Sequence, residues 1–135
     1  MTAINILYVE DNDDNAYMLS RRLTKRGYKV DISSDGKAGV EAAQSLLPDL
    51  ILMDLNLPVM DGIAATRLLK SDDRTADIPI IVVSSHVFPG ERDSAIEAGC
   101  DEFETKPVQF KRLLGKIEQL TGSNIERRAE VQGSD

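Results

Sequence analysis

The chain has 135 residues, 41% of them hydrophobic and 29% charged, with a formal net charge of −7. That length suits one domain with a single substantial core, and the composition is a soluble globular balance rather than a disordered or membrane-spanning one. The negative charge argues against nonspecific nucleic-acid binding, and Cys100, alone in the sequence, excludes an intramolecular disulfide.

The amino terminus, MTAINILYVEDND, lacks the basic start and cleavage pattern of a secretory signal, so a cytoplasmic protein is expected. INILYV (4–9) is the first expected strand. The following DDNAYMLSRRLTK (13–25) spaces Ala16, Leu19 and Leu23 on one helical face. Its basic cluster, RRLTKR at 21–26, suits cations near a helix C-terminus. YKVDIS (28–33) is the second strand, and the helix GKAGVEAAQSLL repeats Ala38, Ala42 and Leu46. LILMD (50–54) is the third strand, followed by a helix DGIAATRLLKS carrying Ala65, Leu68 and Leu69. IPIIVVS (78–84) is the fourth, followed by a weaker helix, PGERDSAIEAG, which carries Ala95 and Ala98 and stops at Gly99. DEFET (101–105) closes the set of strands. The last helix has the clearest apolar stripe: Phe110, Leu113, Leu114, Ile117 and Leu120.

Such alternation implies βαβ crossovers and a parallel sheet. Strands one, three and four are nearly continuous apolar runs, as expected where helices cover both faces. Strand two alternates Tyr28, Val30 and Ile32 with Lys29, Asp31 and Ser33, and strand five is short and acidic, so these two belong at the edges. The predicted fold is therefore α/β, a flavodoxin-like doubly wound sheet of order 2-1-3-4-5 with five helices. Its ligand crevice lies beyond the carboxyl ends of strands one and three.

Strand one ends in Glu10 and Asp11, and strand three ends in Asp54 after four apolar residues. A carboxylate beside so much hydrocarbon is costly unless it reaches solvent, a counter-charge or a metal. Three acids meeting in one crevice repel by about 1–4 kcal/mol per pair at 4 Å. They call for a cation, and oxygen-only ligands favour Mg²⁺ over Zn²⁺. The run DNDDN at 11–15 starts like a calcium loop but fails, with Ala16 at the turn glycine position and Arg22 at the final glutamate position. Asp13 and Asp14 are read as solvated acids at a helix start. Lys106, held before Pro107, and the hydroxyl of Ser84 are expected at the same end of the sheet; Ser85 alternates away and is read as structural.

The segments YVEDN, LILMDLNLPVMDG, IPIIVVSSH and GCDEFETKPV, in that order, resemble the receiver domain of bacterial two-component response regulators, especially stand-alone, chemotaxis-regulator-like receivers. The resemblance covers roughly residues 3–121. It implies that Asp54 accepts a phosphoryl group from a histidine kinase or histidine phosphotransferase. It also implies Mg²⁺ held by Asp11, Asp54 and the backbone carbonyl of Asn56, with Glu10 assisting through water. Ser84 and Lys106 would contact the phosphoryl oxygens, and Phe103 would be an aromatic switch that turns inward. Glu10, Ser84 and Phe103 depart from the commonest residues at those positions, aspartate, threonine and tyrosine.

A haloacid-dehalogenase-like phosphatase would also use an aspartyl nucleophile with Mg²⁺, but Asn56 stands where its second aspartate is needed. A flavin carrier would share the fold, but EDNDD would repel the flavin phosphate. The expected protein is thus a phosphoacceptor rather than a hydrolase, assisting its own phosphorylation and dephosphorylation. Its output would pass to a downstream protein on the face of helix four, strand five and helix five, without DNA binding or membrane insertion. Residues 1–121 are expected to form the receiver and 122–135 a polar tail or an extension of the last helix. His86 is read as a loop residue that modulates access to Asp54.

Overall fold

A computed structural model describes residues 3–85 and 89–122; His86 and the tail from 123 onward lie outside the described residues. Strands β1 (Asn5–Val9), β2 (Lys29–Ser33), β3 (Leu50–Asp54), β4 (Ile80–Ser84) and β5 (Glu102–Thr105) alternate with helices α1 (Asp13–Lys25), α2 (Gly36–Leu46), α3 (Gly62–Ser71), α4 (Glu91–Ala98) and α5 (Phe110–Leu120). The strands form one parallel sheet of order β2-β1-β3-β4-β5. This is the predicted topology, with β2 and β5 at the edges and a reversal of winding between β1 and β3.

Because successive strand residues face opposite sides, each central strand feeds two cores. Leu7, Val9, Ile51, Met53, Ile80 and Val82 pack with Val40, Ala43, Ala65, Leu69 and Ala95 of α2, α3 and α4. Ile6, Tyr8, Leu50, Leu52, Ile81 and Val83 pack with Leu19 and Leu23 of α1 and with Leu113, Leu114 and Ile117 of α5. Burying each large apolar side chain contributes about 1.5–3 kcal/mol.

Local signals set the helix starts. The side chains of Asn12, Asp35 and Asp61 accept hydrogen bonds from the backbone N–H groups of Asn15, Ala38 and Ala64 at 2.9, 2.7 and 2.9 Å, each satisfying a donor the helix itself leaves unpaired. The buried face of α2 differs from the predicted stripe. Gly36, Gly39, Val40 and Ala43 are buried, Ala38 and Ala42 are half-buried, and Leu46 is exposed. A Cβ on Gly39 would meet Val9 Cγ2 at 2.8 Å, so the helix seats its glycine edge against β1. Counting apolar side chains misses a face built partly from residues that have none. Leu68 and Ile32 are exposed as well, against their predicted inward places.

The amino ends of the strands are tied by side chains. Asp49 Oδ2 accepts the Asn5 N–H at 2.8 Å, and Asp101 Oδ2 accepts the Ile80 N–H at 2.8 Å. Lys70 Nζ lies 3.1 Å from Asp101 and donates to the carbonyls of Ala76 and Ile78 at 3.2 and 2.7 Å.

Candidate functional site

The opposite end of the sheet carries the acids. Register pairs Val9 with Met53, so Glu10 and Asp54 leave adjacent strands at one level. Glu10, Asp11 and Asp54 each offer an oxygen within 4.8 Å of the others. Glu10 and Asp54 are buried, while Asp11 is exposed at the mouth of an open cleft that Asn12, Asn15, Asn56, Ser85 and Lys106 also line.

The loop from β3 to α3 is shaped to keep this arrangement. A Cβ on Gly62 would meet the Asp54 carbonyl oxygen at 2.1 Å, so only glycine lets α3 start directly against the backbone of Asp54 and Leu55. The Gly62 N–H donates to the Leu55 carbonyl at 2.9 Å. Between them, Val59 has a left-handed backbone with φ of 70°, a strained conformation for a β-branched residue, and its side chain is exposed.

Lys106 supplies the counter-charge. Its Nζ lies 2.5 Å from Glu10 Oε1 and 3.5 Å from Asp54 Oδ2. The Lys106–Pro107 peptide is cis, and the Lys106 N–H donates to the Ser84 carbonyl at 2.7 Å. Glu10 also accepts from Tyr8 Oη at 3.1 Å and from the Asn12 N–H at 3.3 Å. Burial alone would raise the Glu10 pKa, but hydrogen bonding and charge from Lys106 hold it below the usual carboxylate range. Asp54 has a weaker share of the ammonium and accepts a long bond, 3.4 Å, from the Asn56 N–H. Burial, then the neighbouring Glu10, push its carboxyl up to about 6. Burial and the charge of Glu10 likewise push the Tyr8 phenol up.

The donor set fits a hard divalent cation: carboxylate oxygens at the ends of two adjacent strands, one group reaching solvent, and negative charge that a single lysine does not neutralise. Asn56, beside Asp54, lines the same cleft. Asp13 and Asp14 instead occupy the first turn of α1, outside the acid cluster.

One hydroxyl lies differently from expectation. Ser85, read as structural, lines the cleft with Asp54 and Lys106. Ser84 is fully buried and its Oγ donates to Glu91 Oε1 at 2.5 Å. Phe103 is buried already, 6% exposed, in the apolar cluster that holds Met53, Val82 and Ala95. An inward swing is therefore not available from this conformation. Sequence reasoning missed Tyr8 and Glu91. Tyr8 had a signal, since residues two apart on a strand share a face and its hydroxyl could reach Glu10. Glu91 had none, since it starts a different element from Ser84 and shares no strand or helix periodicity with it.

The family described as response regulator receiver domain matches residues 6–118. This chain belongs to that family. Among curated relatives of this receiver, the response regulator PleD of Caulobacter vibrioides is 35% identical over 116 residues, covering 86% of this chain and 26% of PleD. The polar-differentiation response regulator DivK of Brucella anthropi is 30% identical over 118 residues, covering 87% of this chain and 96% of DivK. The receiver thus spans about a quarter of PleD and nearly all of DivK. The solved receiver domain of a sensor histidine kinase from Pseudomonas aeruginosa PAO1, with a magnesium ion coordinated in its active site cleft, is similar at a TM-score of 0.84 and 33% identity. That match covers 90% of this chain and 100% of the other.

Receiver domains of response regulators accept a phosphoryl group on an aspartate, bind Mg²⁺ at an acidic site and interact with histidine kinases or phosphotransfer proteins. The receiver domain is a signalling module. Among the described residues, no helix is long and apolar enough to cross a membrane.

Proposed function

We propose that this receiver takes a phosphoryl group onto Asp54 from a phosphohistidine of a histidine kinase or phosphotransferase, in a Mg²⁺-dependent reaction, and signals by changing its protein contacts. The observation that carries the reading is the meeting of Glu10, Asp11 and Asp54 within 4.8 Å, beside Lys106, at the point where the winding of the sheet reverses.

The chemistry needs little covalent work from the protein, because positioning and charge stabilisation dominate phosphoryl transfer. An ionised Asp54 oxygen forms the new P–O bond as the P–N bond to the donor imidazole breaks, and the imidazole nitrogen keeps the electron pair. The Asn56 N–H on Oδ1 and the Lys106 ammonium near Oδ2 fix the carboxylate and favour its charged form. Lys106 then faces the incoming phosphoryl oxygens, and Ser85 lines the same cleft. Asp11, Asp54 and the Asn56 carbonyl would hold Mg²⁺, with Glu10 acting through water; a bound ion would neutralise charge on the phosphoryl oxygens. Tyr8 and Lys106 keep Glu10 drawn back into the sheet, in keeping with that indirect role.

On this reading residues 1–121 are the receiver. The output surface is the face of α4, β5 and α5, where Glu104 is buried and ion-paired with Arg112 at 3.0 Å and with Lys116. Phe103 lies on the strand that joins those groups, and we assign it a part in the response together with Ser84. No observation favours a phosphatase-like hydrolase.

Mass spectrometry after incubation with acetyl phosphate and Mg²⁺ tests the central claim. The added phosphoryl group should map to Asp54 and be absent from Asp54→Asn. Equal labelling of both proteins overturns it.

A further inference from the structure

Glu91 is the first residue of α4 and follows Gly90, whose left-handed backbone begins the helix without a side-chain cap. Its carboxylate is half-buried and accepts the hydrogen bond of Ser84 Oγ at 2.5 Å. Ser84 ends β4 and is fully buried. Register pairs Asp54 with Val83, which puts Ser84 one residue beyond the level of Asp54 on the neighbouring strand.

A serine hydroxyl has one proton to donate. It cannot satisfy a carboxylate on α4 and a phosphoryl oxygen on Asp54 together. We propose that Glu91 is a positioning residue that competes with the phosphoryl group for the Ser84 proton, so that each phosphorylation event must break the Ser84–Glu91 bond. This rests on Asp54 being the phosphoacceptor. No covalent bond changes in the exchange: the hydroxyl proton stays on Ser84 Oγ and turns from one anionic acceptor to another.

The exchange has two consequences. Glu91 lowers the affinity of the site for a phosphoryl group, since a charge-assisted hydrogen bond is lost before the new one is made. It also ties the site to α4. When the proton turns toward Asp54, the carboxylate at the start of that helix loses its partner on β4, and the first turn of α4 is released on the surface that also contains β5.

Titration with beryllofluoride at saturating Mg²⁺, followed by ¹⁹F NMR, tests the competition. Glu91→Ala should bind the mimic about tenfold more tightly than wild type, and Glu91→Gln, which keeps a weaker, uncharged acceptor, should fall between them. The deciding arm is the Ser84→Ala background. There the Glu91 substitutions should change affinity by less than about twofold, because no hydroxyl remains to compete for. The same gain with and without Ser84 would reduce Glu91 to a nearby negative charge and overturn the proposal, as would unchanged or weaker binding by Glu91→Ala. Failure of wild type to bind the mimic at all would overturn the phosphoacceptor reading and the competition with it; binding by wild type without any Glu91 effect would overturn the competition alone.

Discussion

Glu10 and Lys106, 96 residues apart in the chain, form an ion pair of 2.5 Å in which the carboxylate is 1% exposed. The pairing is uneven. Glu10 has the ammonium, a phenol and a backbone N–H, whereas Asp54, 3.5 Å from the same nitrogen, has far less to stabilise its charge. The resting site therefore holds Glu10 ionised and leaves Asp54 the carboxyl that most needs a cation.

That difference makes Asp54 a pH-dependent cost to the fold. Its carboxyl titrates near 6 in the folded protein, against about 3.9 in an unfolded chain. Below pH 4 it is protonated in both states and carries no penalty. Between 4 and 6 the folded state binds more protons than the unfolded one, so stability falls as pH rises. Above 6 the full penalty, on the order of 2–3 kcal/mol, is present. Asp54→Asn should match wild type at pH 4 and exceed it by that amount at pH 7 without Mg²⁺, measured by urea unfolding. Equal stability at pH 7 would mean the carboxylate is already well compensated.

Asp11 and Asp13 are both exposed acids of one loop and helix start, yet only Asp11 belongs to the carboxylate cluster. Calorimetric titration with Mg²⁺ should show Asp11→Ala weakened by about tenfold or more, one lost ligand contact of roughly 1.4 kcal/mol, and Asp13→Ala nearly unchanged. A larger loss in Asp13→Ala would shift the binding loop by two residues.

Lys106 joins charge balance to geometry, and two substitutions separate them. Lys106→Met leaves Glu10 buried without its cation and should cost about 2–4 kcal/mol of stability. Lys106→Arg keeps the charge and should retain Mg²⁺ binding, but its planar fork replaces a compact ammonium, and the response to phosphorylation should be poor. Normal partner switching by the arginine variant would leave Lys106 a counter-charge only.

Val59 offers a test of backbone strain. Its φ of 70° suits asparagine or glycine, and with 76% of the residue exposed there is little packing to lose. Val59→Asn should stabilise the protein by about 1 kcal/mol, raising Tm by a few degrees. A lower Tm would show that the valine side chain holds the loop.

Strand polarity made the order of the sheet legible, because a strand buried on both faces has no polar alternation and an edge strand does. The order in turn brought Glu10, Asp11, Asp54 and Lys106 together before any coordinates. What escaped followed from shape rather than polarity. The α2 face turned on Gly39, which has no side chain to count. Ser85 fell in the cleft because the chain leaves the regular alternation of a strand after Ser84. Glu91 starts a different element from Ser84, and no strand or helix periodicity relates the two. Phe103 was recognisable as an aromatic residue at the right place, but nothing in the sequence said on which side of its motion it rests.

The ties of Asp49, Asp101 and Lys70 at the amino ends of the strands give the two rims of the sheet different tolerances. One rim is a seam that closes the fold, and damage there should be felt as lower abundance with signalling intact in the molecules that remain. The other rim contributes chemistry and can be altered without opening the seam. A lineage carrying this arrangement can change the chemistry of one rim by substitution while inheriting the other unchanged, which separates the evolution of the site from the requirement to stay folded.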